Sequence, residues 1–147
     1  MTQCNQKSVA KAIVKGSEEF PDIRGEVLFC QKKNGVLITA NVSGLPRNGS
    51  GFYGFHIHEG ENCGGDTFSN TLGHYNPKGR PHPTHSGDLP PLLSCSGNAY
   101  MQVISDRFRV RDIIGRTVII HKNTDDFRTQ PSGDAGEKIA CGEIWEV

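Results

Sequence analysis

The stretch Gly54-Phe55-His56-Ile57-His58-Glu59 alternates apolar and histidine positions with a period of two. Read as a strand, it sends Phe55 and Ile57 to one face and both imidazoles to the other. The fold must then bury one face while two imidazoles on a stiff backbone act together on the other, which is half of a metal site. His74, His82 and His85 follow before Asp88, and His121 ends an apolar run. Residues 63–83 are rich in Gly, Asn, Ser and Pro without an apolar period, so they read as a loop whose histidines have no core to join. Neutral imidazole is the common ligand of borderline metals, and a carboxylate such as Asp88 added to nitrogen donors suits zinc. One histidine alone is most often just hydrogen-bonded; six gathered on a strand, a loop and a second strand end point to ligands.

The rest of the chain reads as β. Residues 9–15 alternate loosely. Residues 25–31 put Val27 and Phe29 on one face, and residues 36–43 align Val36, Ile38, Ala40 and Val42, with Asn34-Gly35 between them as the pair a tight hairpin prefers. Residues 92–95 and 99–105 flank Ser96-Gly97-Asn98 as a second hairpin, and residues 109–113 are expected to add a short edge strand. Residues 117–121 read as a buried strand on their β-branched content, residues 122–138 as a second functional loop, and residues 139–147 as a last strand carrying Trp145. Glycine, at 18 of 147 residues, is well above the usual ~7%, as many turns between short strands require. The pattern implies an all-β, eight-stranded antiparallel Greek-key sandwich or flattened barrel, immunoglobulin-like, with two long functional loops on one domain spanning residues 1–147.

Sixteen basic residues balance sixteen acidic ones, which argues against a nucleic-acid binder. No run approaches the ~20 apolar residues of a membrane span. The first seven residues lack the basic start and apolar core of a signal peptide, so the chain is expected to be cytoplasmic as written, and periplasmic or extracellular if an export signal has been removed. Five cysteines are an odd number, leaving at least one free or intermolecular. Cys4, Cys30 and Cys95 are expected to be reduced thiols without a role.

The histidine strand, together with Gly73-His74-Tyr75-Asn76-Pro77, His85-Ser86-Gly87-Asp88-Leu89-Pro90, Gly115-Arg116-Thr117-Val118-Ile119-Ile120-His121 and Gly133-Asp134-Ala135-Gly136 leading to Ala140-Cys141-Gly142, resembles copper/zinc superoxide dismutase. The short connections resemble the bacterial branch. Those enzymes themselves belong to the sandwich class inferred above, so the two lines are not independent. The resemblance implies an oxidoreductase that converts two superoxide anions and two protons to oxygen and hydrogen peroxide by alternating Cu(II) and Cu(I). Its cofactors are copper, held by His56, His58, His74 and His121, and zinc, held by His74, His82, His85 and Asp88. His74 is then an imidazolate bridging both metals, and its released nitrogen takes a proton when copper is reduced.

Asp125 matches an aspartate that hydrogen-bonds one ligand of each metal, here His56 and His82. Cys63 and Cys141 match a disulfide that ties the metal loop to the last strand, worth about 2–4 kcal/mol and unusual in a cytosolic protein. Lys138 stands where the family has arginine, as the cation at the mouth; it is expected to keep the steering and, as a flexible point charge, to loosen the bound geometry. Ser132 takes a channel position usually held by threonine, and Lys122 reads as a solvated charge. The bend His82-Pro83-Thr84-His85 is shorter than in the family. Superoxide is the expected partner, and a homodimer is left open. Two rivals stand beside this reading. A copper/zinc-binding or copper-buffering protein on the same fold would lack a copper ligand or the mouth charge, and a structural zinc sandwich would leave His56, His58 and His121 without a role.

Overall fold

The computed structural model describes Cys4 and residues 8–147. Apart from Cys4, the first seven residues, on which the signal-peptide reading rests, lie outside the described residues. Among the described residues nine strands form: β1 (Val9–Gly16), β2 (Arg24–Lys32), β3 (Gly35–Ser43), β4 (Phe52–Tyr53), β5 (Phe55–His58), β6 (Leu92–Leu93), β7 (Ala99–Ser105), β8 (Thr117–His121) and β9 (Lys138–Glu146). Seven make one curled antiparallel sheet in the order β5-β8-β9-β1-β2-β3-β7, and β4 pairs with β6 in a separate ribbon. The period-two faces meet inside the curl. Ala10, Ala12 and Val14 of β1, Val27 and Phe29 of β2, and Val36, Ile38, Ala40 and Val42 of β3 are all buried there. Each large apolar side chain withdrawn from water contributes about 1.5–3 kcal/mol.

Four local expectations are corrected. The β2–β3 register pairs Lys32 with Gly35, so the two loop residues are Lys33 and Asn34, one position earlier than the Asn-Gly signal suggests. The turn at Ser96-Gly97-Asn98 forms, with Cys95 and Asn98 exchanging backbone hydrogen bonds, but its flanks separate. Leu92–Leu93 pairs with β4, and β7 with β3, because the ribbon and the main sheet need one partner each. Residues 109–113 give a helical turn, α1 (Val110–Ile113), that buries Val110 and Ile113; the Asp112 side chain accepts the Arg109 backbone N–H at 2.8 Å. Within the first long loop, Asp66–Thr71 winds into 3-10 turns.

Cysteine pairing also differs. Cys4 is bonded to Cys30, with Cα atoms 6.0 Å apart, so neither is the reduced thiol expected. Cys30 lies opposite Val9 in the β1–β2 ladder, and the Gln31 backbone N–H donates to the Ser8 carbonyl just before β1. Cys63–Cys141 forms as the resemblance implies, and Cys95 is the exposed free thiol among the described residues.

The sheet's other face, over β5, β8 and β9, prepares the site. Phe55 and Ile57 point into the core with Val118 and Ile120, while the register sets His56 opposite Ile119, His58 opposite Thr117 and Ile119 opposite Cys141. A register shift at Ile120/His121 pairs His121 with Lys138. Such a bulge turns the strand, and here it brings Lys138 to the same outer face as the histidines. Residues 59–91 and 122–137 cover that face.

Candidate metal centre

Backbone pairing delivers the loop residues. β5 is an edge strand, and the first loop folds back on its open side: Ile57 donates to the Gly87 carbonyl at 2.8 Å and its own carbonyl accepts from Tyr75 at 2.8 Å. Bridges then set His74 opposite His58 and Asp88 opposite His56. The same contacts close an edge that would otherwise present unpaired groups to other chains. All six histidines end up buried together, none more than 8% exposed. The His74 ring stacks on His56 at 3.9 Å between centroids and lies 5.0–6.0 Å from the other four.

Which nitrogen carries each proton follows from the acceptors. His58 Nδ1–H donates to the Leu72 carbonyl and His121 Nδ1–H to the Gly136 carbonyl, both at 2.9 Å. Their Nε2 atoms, left as lone pairs, face each other at 3.3 Å. Asp125 accepts Nε2–H of His56 on Oδ2 and Nε2–H of His82 on Oδ1, both at 2.7 Å. That leaves the Nδ1 atoms of His56 and His82 bare; like Nε2 of His74, they are buried without a hydrogen-bond partner among the described residues. Nδ1 of His82 is 3.1 Å from Asp88 Oδ2, another pair of acceptors rather than a hydrogen bond. Unpaired buried acceptors cost about 1–3 kcal/mol each, and a cation among them removes that cost.

Two groups of donors result. Ligating atoms of His56, His58, His74 and His121 lie within 4.8 Å of one another, as do those of His56, His74, His82 and Asp88. His85, expected in the second set, joins it through Nδ1, 3.2 Å from Nδ1 of His74 and 3.3 Å from Asp88 Oδ2. His56 takes part in both sets; its Nε2–H is spent on Asp125, which leaves Nδ1 as its bare nitrogen. Burial pushes His56 down to about 4 and His121 to about 3, and holds His58 well below the ordinary imidazole range. The three are therefore neutral imidazoles near pH 7. Burial opposes the charge on Asp125 and Asp88, but hydrogen bonds from His56 and His82 in one case and from His74 in the other outweigh it and hold both carboxylates below their usual range.

Gly133 makes the Asp125 contacts possible. It sits at φ +72°, and a Cβ there would come within 2.0 Å of Asp125 Oδ1 and 2.6 Å of His82 Nε2, so only glycine lets the second loop pass so close.

A cavity of about 440 Å3 opens over the first set and is lined by His58, His74, His121, Ser132, Gly136 and Lys138. A larger groove of about 860 Å3 runs along residues 13–26 and holds no histidine; the chemistry lies with the smaller one. Lys138 is not the free point charge expected. Its Nζ donates to Thr71 Oγ1 at 2.8 Å and to the Leu72 carbonyl at 2.9 Å, the carbonyl that also receives His58. Leu72 adopts φ +59°, a conformation costly for a non-glycine residue that turns this carbonyl inward. Lys122 Nζ lies 5.5 Å over the Phe20 ring, away from the centre. Sequence reasoning missed Thr71 and the Leu72 and Gly136 carbonyls, which carry no signal of type or spacing. It also missed Gln130 and Arg107, which grip the bend between His82 and His85.

Residues 23–144 match the family described as copper/zinc superoxide dismutase (SODC). The chain is 33% identical to copper-zinc superoxide dismutase 2 of Aquifex aeolicus over 150 aligned positions, covering 89% of this chain and 86% of that protein. It is 36% identical to the copper-zinc superoxide dismutase of Legionella pneumophila, covering 82% and 76%. A crystal structure of a double mutant of a SOD-like protein from Bacillus subtilis superposes with a TM-score of 0.79 at 27% identity, over 92% of this chain and 96% of that one.

Proposed function

The chain belongs to the copper/zinc superoxide dismutase family, and from that premise we propose that residues 1–147 work as one domain holding copper and zinc side by side in the buried histidine cluster. The protein is an oxidoreductase, a superoxide dismutase. Copper would be held by His56, His58, His74 and His121, and zinc by His74, His82, His85 and Asp88. One observation carries the assignment: His58 and His121 face each other through deprotonated Nε2 atoms at 3.3 Å, with both Nδ1 protons already given to carbonyls. Two lone pairs at that separation repel, and a metal between them turns the repulsion into coordination.

Bound copper supplies a one-electron couple that accepts an electron from one superoxide, released as dioxygen, and returns it to a second, released with two protons as hydrogen peroxide. The polypeptide arranges everything around that couple. His74 belongs to both sets, with Nδ1 beside His85 and Asp88, so its Nε2 would be free to hold a proton for the departing peroxide. Asp125 fixes the tautomers of His56 and His82. Lys138 supplies positive charge at the mouth, where a small anion enters. The buffering alternative calls for a missing copper ligand or mouth charge, and this chain has both. The two disulfides favour an oxidising compartment over the cytoplasm.

The purified protein, stripped and then reloaded, should dismutate superoxide with copper and zinc together and not with zinc alone. Turnover with zinc alone rejects the electron-transfer role of copper, and no turnover with both metals restores the buffering reading.

A further inference from the structure

The bend His82-Pro83-Thr84-His85 carries two ligands of the second set on four residues, too few to make a scaffold of their own. Its backbone is gripped from outside by two side chains. The Gln130 amide takes both polar groups of His82: Oε1 accepts the His82 N–H at 2.8 Å, and Nε2 donates to the His82 carbonyl at 2.8 Å. Arg107 Nη1 donates to the carbonyls of Pro83 at 2.8 Å and His85 at 3.2 Å. Gln130 comes from the second loop and Arg107 from the connection between β7 and α1, so two separate parts of the molecule hold one short segment. By contrast, the carriers of the first set, His56, His58 and His121, stand on β5 and β8 and take their positions from the sheet ladder.

The geometry points to Gln130 and Arg107 as positioning residues that brace the zinc half of the centre without touching the copper half. This rests on the ligand assignment proposed above. Without the arms, His82 and His85 are ordered only when the metal arrives, and the ordering is charged against zinc affinity. Charge alone predicts the opposite for Arg107, since removing a cation from behind a zinc site should tighten zinc. The substitution Arg107→Gln therefore separates bracing from electrostatics.

The test titrates the full-length, metal-free protein with Zn(II) against a chromophoric chelator, and separately with Cu(I) against a copper chelator. Outer-shell partners of metal ligands are worth about 10- to 100-fold in affinity, and arms that hold backbone fall at the low end. Arg107→Gln and Gln130→Ala should each weaken zinc about tenfold and the double variant about a hundredfold, with copper affinity changed less than twofold. Arg107→Lys, which keeps the cationic donor but loses the rigid planar guanidinium, should recover part of the loss. Zinc affinity within twofold of the parent in the double variant, tighter zinc in Arg107→Gln, or equal losses of both metals overturns the brace. Failure of the ligand assignment is separately visible: if His82→Asn leaves zinc stoichiometry and affinity unchanged, zinc does not occupy this set and the brace falls with it.

Discussion

At Lys138, two of the three ammonium protons are given to Thr71 and to the Leu72 carbonyl, so the charge at the cavity mouth is held in place by the loop that carries His74. Burial lowers its pKa from the ordinary lysine range. The charge is therefore lost on the alkaline side sooner than for a solvated lysine. Electrostatic steering changes association by about 10- to 1000-fold. Lys138→Glu should lower the rate of dismutation, measured by pulse radiolysis, and reverse its dependence on ionic strength; an unchanged rate and salt slope would assign the steering to another cation. Lys138→Arg should keep the rate and move its alkaline fall to higher pH, because guanidinium does not deprotonate there. The candidate ligands were readable in the sequence as residue types, since clustered imidazoles with a carboxylate suit borderline metals. Their orienting partners were not, because His58 and His121 donate to main-chain carbonyls that any residue carries.

Strands long enough to show several alternations, such as β1, β2 and β3, could be read from period alone, whereas β4 and β6, two residues each, and the single turn of α1 are too short to carry a period. Pairing of cysteines escaped the arithmetic for a related reason: parity says that one of five is left over but not which, and Cys4–Cys30 is known only from the structure. The two disulfides then have separable consequences. Cys63–Cys141 closes 78 residues and Cys4–Cys30 closes 26, which in the chain-entropy account makes the former worth roughly 1 kcal/mol more. It also ties the loop bearing His74, His82 and His85 to β9. Replacing Cys63 and Cys141 by serine should lower the unfolding midpoint and weaken zinc binding together, while replacing Cys4 and Cys30 should lower the midpoint and leave both metal affinities within about twofold. Thermal unfolding combined with chelator competition distinguishes the two, and loss of metal affinity on removing Cys4–Cys30 would contradict the separation.

Taken as a whole, the molecule carries 16 basic and 16 acidic residues, so self-repulsion adds little to its response near neutrality. Between about pH 7 and 5, histidine is the only side chain whose ordinary pKa lies in range, and all six histidines are buried in one centre. The mild-acid behaviour of the metal-free protein therefore reports on that centre. His56 and His121 have folded values of about 4 and about 3 against an ordinary 6.5, so the unfolded chain binds protons that the folded chain refuses. Their contribution to stability is complete above pH 6.5, declines as pH falls below it, and is exhausted only near the folded values. Asp88 and Asp125, both held low, add a further loss once pH drops through their ordinary 3.8. Each unit of depression corresponds to ~1.4 kcal/mol, and two such histidines can consume much of the 5–15 kcal/mol typical of a domain. Urea unfolding of the stripped protein should show a midpoint that is flat above pH 7 and falls steeply from 6.5 to 4. With metals bound, the same nitrogens are protected until protons displace the ions, so the fall should shift to lower pH and coincide with metal release. A midpoint that stays constant from pH 7 to 4.5 in the stripped protein would mean that these imidazoles are open to water, and the assembly of the centre described above would be wrong.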